Sequence, residues 1–313
     1  MRSVAYLLGR RLVQALLAAL LVSSLCFFMV RLLPGDIAYQ IASGRYGLDA
    51  TQSAVDAIRA ELQLGRPAGQ AWLSWMGELS RLDLGRSYTL GTPVRVLIQD
   101  QLGRTLELSG LAFLMSLFIG PPIGVLAGLR PGGVLDRLSL AGSAVTRSMP
   151  PFVIGILLII VFAVTLHWLP AAGHTQAGAI LLPAFTLALG LAAVSSRVVR
   201  SSMIEVAEAD YFHFPITKGL PLHNVVLRHG VRNVAVPVVA HLGTQLVYLI
   251  EGVIVVETLF AWPGIGHALS HAVRERDIPM IQGAALVLAL MFILFNALVD
   301  LLLVVIDPRL RSR

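Results

Sequence analysis

Hydrophobic positions along this chain are gathered into six long blocks: Leu12–Val30, Leu106–Leu129, Leu138–Leu166, Ile180–Ser196, Val234–Val256 and Ile281–Ile306. A helix needs about 20 consecutive apolar residues to cross the hydrocarbon core of a bilayer. Each block approaches or exceeds that length, so the pattern predicts an all-α polytopic membrane protein with six transmembrane helices. The third block is too long for one straight crossing, and Arg147, Pro150 and Pro151 interrupt it. Proline removes a backbone donor, and inside lipid the freed groups must be re-satisfied by neighbours. That helix is therefore expected to be broken and to face protein. The first block follows Arg10 and Arg11 as a signal peptide would. Its 19 residues exceed a usual h-region, however, and no A-x-A-like site follows, so it reads as an uncleaved span.

Between the first two blocks the pattern changes. Thr51–Leu62 carries Ala54, Ile58 and Leu62 at helical spacing, and Ala71–Leu79 is a second short amphipathic stretch. Gly85, Gly91 and Pro93 then mark a loop leading into the second block. A structureless connection of this length is improbable in a compact protein, so residues 31–104 are expected to form a small helical cap. The division that follows is 1–30 for the N-terminus and first span, 31–104 for the cap, and 105–313 for the remaining membrane domain. No internal repeat is evident.

Composition agrees with this reading and charge adds an orientation. The chain is 56% hydrophobic and 13% charged, against about 25% charged in an ordinary soluble domain. The net charge of +6 comes from 23 arginines and a single lysine, Lys218. The arginines flank apolar blocks instead of forming a stripe, which favours topology over nucleic-acid binding. Arg2, Arg10 and Arg11, then Arg130 and Arg137, then Arg197, Arg200, Lys218, Arg228 and Arg232, and finally Arg309, Arg311 and Arg313 all fall on one side of a six-span chain. By the positive-inside rule that side is cytoplasmic, with both termini. The eight arginines of residues 31–104 lie in a loop too long for the rule to govern. The lone Cys26, in the first block, reads as a buried structural thiol.

Several motifs occur in an order that resembles one family, the inner-membrane permease subunits of the dipeptide, oligopeptide and nickel class of ABC importers. Asp83-Leu84-Gly85-Arg86-Ser87, followed by Thr92-Pro93-Val94, is similar to the family's D-x-G-x-S…P-V segment. Ser148-Met149-Pro150-Pro151-Phe152 is similar to its S-x-P-x-F kink, and Trp168-Leu169-Pro170 and Leu182-Pro183-Ala184 bracket the next loop as they do in the family. Glu257 to Gly266 resembles the E-x-x-F-x-x-P-G-x-G signature, with Arg276-Asp277 and Pro279 after it. Asn296, Asp300 and Asp307-Pro308-Arg309 also match. Between spans four and five, near 205–222, Asp210-Tyr211, six residues, then Lys218-Gly219-Leu220 keep the spacing of the family's D-Y-x6-K-G-L coupling segment.

The resemblance implies a type I importer permease fold. It implies that this coupling segment is a short helix docking into a groove on an ATPase subunit. The family's usual alanine is Pro215 here, and a proline inside a helix costs roughly 3 kcal/mol, so a shortened or kinked helix is expected. The resemblance also implies a second, similar permease, two ATP-binding subunits carrying ATP and magnesium, and a periplasmic or lipid-anchored solute-binding protein. Trp262, Pro263, Gly264 and Gly266 would form a periplasmic gate. The implied mechanism is alternating access, moving peptides or nickel and other metal chelates.

The residues themselves bound what remains. No G-x-x-x-x-G-K-[ST] occurs, so the chain offers no phosphate cradle of its own, and no H-E-x-x-H marks a zinc protease. Ionisable residues within spans usually face a cavity or a partner. Glu251 is thus a candidate pathway carboxylate or a hydrogen-bonded structural one. Asn296 and Asp300 share a face of the last span, and with the Pro150–Pro151 kink they complete the pathway candidates. His267 and His271 are four apart just after the gate turn, a spacing that two metal ligands on one helix would use. A secondary transporter or channel driven by an ion gradient is the alternative class, but it leaves the coupling segment unexplained and would call for an inverted repeat.

Overall fold

The computed structural model describes residues 2–32, 36–46, 51–61 and 65–306. Leu62, Asp307, Pro308, Arg309, Arg311 and Arg313 lie outside the described residues. The order of helices is α1 (Arg2–Leu32), α2 (Ile37–Tyr46), α3 (Gln52–Glu61), α4 (Ala68–Ser80), α5 (Val94–Leu129), α6 (Val134–Ser148), α7 (Pro151–Leu158), α8 (Leu181–Glu208), α9 (Asp210–Thr217), α10 (Leu222–Val225), α11 (Val231–Leu259), α12 (Ile265–Glu275) and α13 (Ile278–Ile306). Two π-helical stretches, Ile159–Thr165 and Val226–Gly230, follow α7 and α10.

Among the described residues four helices are long and apolar enough to cross a membrane, in α1, α5, α8 and α13. A fifth follows if α6 and the α7 segment are counted as one crossing bent by 108°. The bend has a local cause. Met149 and Pro150 each precede a proline, which disfavours the α region, and both are extended, at ψ 135° and 149°. The fifth apolar block of the sequence, Val234–Val256, lies wholly within α11.

The chain divides into two compact units. In the first, made mainly of Leu106–Trp262, leucines and valines of α5, α8 and α11 enclose a core with Phe260 and Trp262. α5 approaches α8 through a row of glycines one turn apart. A Cβ at Gly120, Gly124 or Gly128 would lie 2.9, 2.5 or 2.8 Å from the carbonyl oxygens of Ala192, Ser196 and Arg200. Those oxygens recur at the same four-residue step, so the two backbones meet along a shared register. α6 is tied to α8 by two polar contacts. Ser143 and Ser196 hydroxyls lie 3.2 Å apart. Arg200 grips Asp136 through Nε and, at 2.8 Å, through Nη2.

The second unit, Arg10–Thr105 with Pro263–Ile293, contains the stretch expected as a cap. α2 and α3 bury Ala38, Ile41, Ala42, Val55 and Ile58, with Tyr88 against them. The periodicity had pointed to Ala54 beside Ile58. Val55 is the buried neighbour instead, and Ala54 is only half-buried. α2 itself carries no clear apolar period and was not foreseen. α4 leans on α1, where Trp75 stacks on Phe27 with centroids 5.7 Å apart and Trp72 Nε1 donates to Ser24 Oγ at 3.1 Å.

Candidate transport cavity, gate turn and coupling segment

A cavity of about 430 Å³ opens in the first unit beside the α6–α7 bend. Its lining comes from α6 and α7 (Arg147, Met149, Pro151, Ile154), from α8 (Thr186, Leu187, Gly190, Leu191) and from α11 (Gln245, Tyr248, Glu251, Gly252). The walls are chiefly apolar, and Arg147 and Glu251 are the two charged groups among the lining residues. Glu251 and Pro151, both foreseen as pathway residues, therefore reach one site. Pro150 sits beside it as the cap of α7 and is exposed, while Asn296 and Asp300 are half-buried on α13 and are not among the lining residues.

Two residues of this site escaped the sequence reading. Arg147 had registered only as an interruption in an apolar block. Gln245, 2% exposed, donates Nε2 to the Leu191 carbonyl at 2.8 Å, while its Oε1 is buried with no hydrogen-bond partner among the described residues. A signal for it was present. Gln245, Tyr248 and Glu251 recur every third residue, which sets polar groups along one side of a helix.

The bend is held against the end of α11. Gly155 of α7 approaches so closely that a Cβ there would lie 2.6 Å from Leu259 and 3.1 Å from the Phe260 ring. Phe260 and Trp262 are buried at 1% and 3% exposure, and the chain turns between them through Ala261 at φ 48°. The Phe260 carbonyl accepts from Gly173 N–H at 2.8 Å, and Trp262 N–H donates to the Glu257 carbonyl at 2.8 Å. In the second unit Gly264 is the extended N-cap of α12, next to Pro263, and Ile265 N–H donates to Thr105 Oγ1 at 2.9 Å. Gly266 follows, buried, in the first turn of α12.

Two motif segments far apart in sequence meet at the other end of α12. Arg276 ends that helix in the left-handed region, and the next residue, Asp277, is 2% exposed. Its carboxylate accepts from the Ser87 hydroxyl, from Tyr88 N–H at 3.0 Å and from Thr89 Oγ1 at 3.0 Å. The D-x-G-x-S segment and the Arg276-Asp277 pair are thus the two halves of one latch.

His267 and His271 face each other on α12 with ring centroids 4.4 Å apart. Burial, with His271 and Arg274 alongside, pushes His267 below its ordinary value. Among the described residues no group of three or more His, Cys, Asp or Glu is arranged to hold a metal ion.

The candidate coupling segment folds as the short helix α9. It continues two residues past Pro215 and closes at Gly219, whose φ is +86°. Gly219 N–H donates to the Ile216 carbonyl at 2.9 Å, and Leu220 N–H donates to the Pro215 carbonyl at 3.1 Å. These are the two bonds of a Schellman motif. Pro215 withholds a donor from the helix, yet its carbonyl accepts the outer closing bond. Its ring is buried with Phe212, one turn away, on the inner face. The outer face carries Asp210, Tyr211 and Phe214, with Lys218 Nζ 4.3 Å from the Phe214 ring centroid. Tyr211, Phe214, Ile216 and Leu220 are 47%, 60%, 37% and 44% exposed, an apolar surface on a polar connection. Beneath it, Phe212 joins Val199, Met203, Val206 and Val225 in a small core.

Asp136 lies in the first turn of α6, where its carboxylate accepts from Arg200 and from Gly132 N–H at 2.8 Å.

Comparison with known proteins accounts for the order of these features. The family described as binding-protein-dependent transport system inner membrane component matches residues 120–312. A probable peptide ABC transporter permease of Sinorhizobium fredii is 37% identical over 310 residues, covering 96% of this chain and 98% of the relative. A glutathione transport system permease of Pectobacterium atrosepticum is 35% identical over 304 residues, with 97% and 98% covered. Among solved structures, a chain of the MetNI methionine ABC transporter in inward-facing conformations superposes with a TM-score of 0.55 at 17% identity, covering 68% of this chain and 97% of that one. That likeness is one of fold. With apolar helices of spanning length and relatives matched from end to end, this chain belongs to the inner-membrane permeases of binding-protein-dependent ABC transporters.

Proposed function

We propose that this chain is one of two pore-forming subunits of an ATP-driven importer that moves peptides across the bacterial cytoplasmic membrane by alternating access. In this reading α11 completes six crossings, with the two halves of the bent segment forming one of them. Both termini are cytoplasmic, and α2 to α4 form a periplasmic cap. A second permease completes the pore. Two ATP-binding subunits carry the nucleotide and magnesium, and an external solute-binding protein delivers cargo.

The observation that carries this reading is α9. An eight-residue helix, closed by a left-handed glycine and anchored by Phe212 and Pro215, presents exposed aromatic and aliphatic side chains on a segment that otherwise has no reason to expose them. A cargo-gated channel or ion-coupled carrier needs no such knob. Peptides are favoured over nickel or metal chelates because the relatives at about this similarity are named for peptides and glutathione.

The test is to purify the chain from its native membrane in mild detergent, identify its partners by mass, and reconstitute the complex. Co-purification of a second permease and P-loop ATPases is expected, with peptide accumulation that requires ATP and survives collapse of ion gradients. Uptake that follows an ion gradient and ignores ATP would sink the proposal.

A further inference from the structure

The cavity beside the α6–α7 bend carries opposite charges and an unmatched acceptor, and this combination narrows what it can hold. Arg147, from α6, offers a guanidinium whose planar fork suits a carboxylate. Glu251, from α11, offers a carboxylate that suits an ammonium. Neither is in an ion pair among the described residues, and both line the same space of about 430 Å³. Charged side chains on transmembrane helices are costly unless they face a partner or a water-filled cavity.

Gln245 supplies an observation independent of the charges. Its Nε2 is committed to the Leu191 carbonyl at 2.8 Å. That bond fixes the amide, leaving Oε1 as an acceptor at a 2% exposed position with no donor among the described residues. Buried acceptors are rarely left so, because the lost solvation is not recovered. Oε1 is closed off from the cavity in this conformation, so a ligand N–H, such as that of a peptide amide, would satisfy it once the Gln245 side chain turns outward. Thr186, also in the lining, cannot act as that donor, since its hydroxyl already donates to Leu182 at 2.8 Å.

We infer that this subunit itself reads cargo in the membrane: Arg147 takes the carboxylate of a zwitterionic solute, Glu251 takes its ammonium group, and Gln245 Oε1 accepts an amide N–H. This rests on the importer reading above and adds selection within the pore to whatever an external binding protein selects. A solute with one end capped loses one partner and leaves a charge in the cavity unmatched.

The experiment is a saturation-transfer NMR titration of the purified, complete transporter in nanodiscs, without binding protein. The probes are trialanine, its N-acetyl form and its C-terminal amide. For the unaltered protein, each cap is expected to weaken binding about tenfold. Arg147→Gln should erase the difference between acid and amide while keeping the penalty for acetylation. Glu251→Gln should do the converse, and Gln245→Leu should weaken all three probes together. Equal binding of the three probes by the unaltered protein overturns the inference without any variant having to fold. Retention of both penalties by both charge variants overturns it as well. ATP-driven uptake of trialanine by the same transporter in proteoliposomes, with its binding protein supplied, separates the two readings. If uptake persists while discrimination is absent, only the cavity assignment falls; if neither uptake nor binding occurs, the importer reading falls and takes the assignment with it.

Discussion

At Gly219 the backbone sits at φ +86°, a conformation that costs a side-chain-bearing residue about 1–2 kcal/mol. Gly219→Val should therefore unwind the end of α9 without disturbing the spans. The expected result is a variant that inserts normally and binds its partners, but has lost most ATP-driven uptake in proteoliposomes. Asp277 makes a different demand. Its carboxylate satisfies Ser87, Tyr88 N–H and Thr89 at a 2% exposed site, and hydrogen bonds to a charged group are worth about 1.5–3 kcal/mol each. Asp277→Ala should lower the thermal midpoint in detergent and make the 83–93 loop sensitive to protease; an unchanged midpoint would argue that the latch is ornamental. The glycine was legible in the sequence because the turn's demand is local. The latch was not, because its two halves are 190 residues apart and each looks like an ordinary loop.

Among the elements, the α5–α8 pair depends on how closely two backbones approach. A side chain at position 124 meets the Ser196 carbonyl at 2.5 Å and Val199 at 2.7 Å, so Gly124→Leu has no flexible neighbour to displace. Overpacking of this kind costs about 1–3 kcal/mol. The variant should show reduced yield of folded protein by fluorescence size-exclusion, whereas Gly142→Ala, with open space around it, should behave as the unaltered protein does. The α6–α8 tie makes a separate prediction. Asp136 is buried and accepts from Arg200 and from Gly132 N–H, so Asp136→Ala leaves the guanidinium without its partner. Thermal midpoints in detergent should fall well below those of the unaltered protein. Equal midpoints would mean that the pair with Arg200 does not hold α6 to α8. The kink at Pro150 was readable from the sequence, since proline restricts both itself and the residue before it. Its 108° magnitude was not, because that depends on how α7 packs on Leu259 and Phe260.

For the whole molecule, the apolar blocks by themselves determined that the chain is helical and lives in a membrane, because a bilayer admits few other solutions for a long apolar run. Order and spacing of short motifs determined the family, and the Lys218-Gly219-Leu220 turn determined where α9 stops. Pro215 marks where local reasoning ended. Read alone it is a helix breaker, but in the fold its ring anchors the inner face and its carbonyl takes a closing bond. Only the tertiary structure could decide that, and only it could bring Arg147, Gln245 and Glu251 from two helices to one cavity. Periodicity fixes which side of a helix a residue occupies, because that side follows from 3.6 residues per turn. Which other helix that side meets is set by packing across long stretches of chain, and one strand of sequence read by itself carries no record of it.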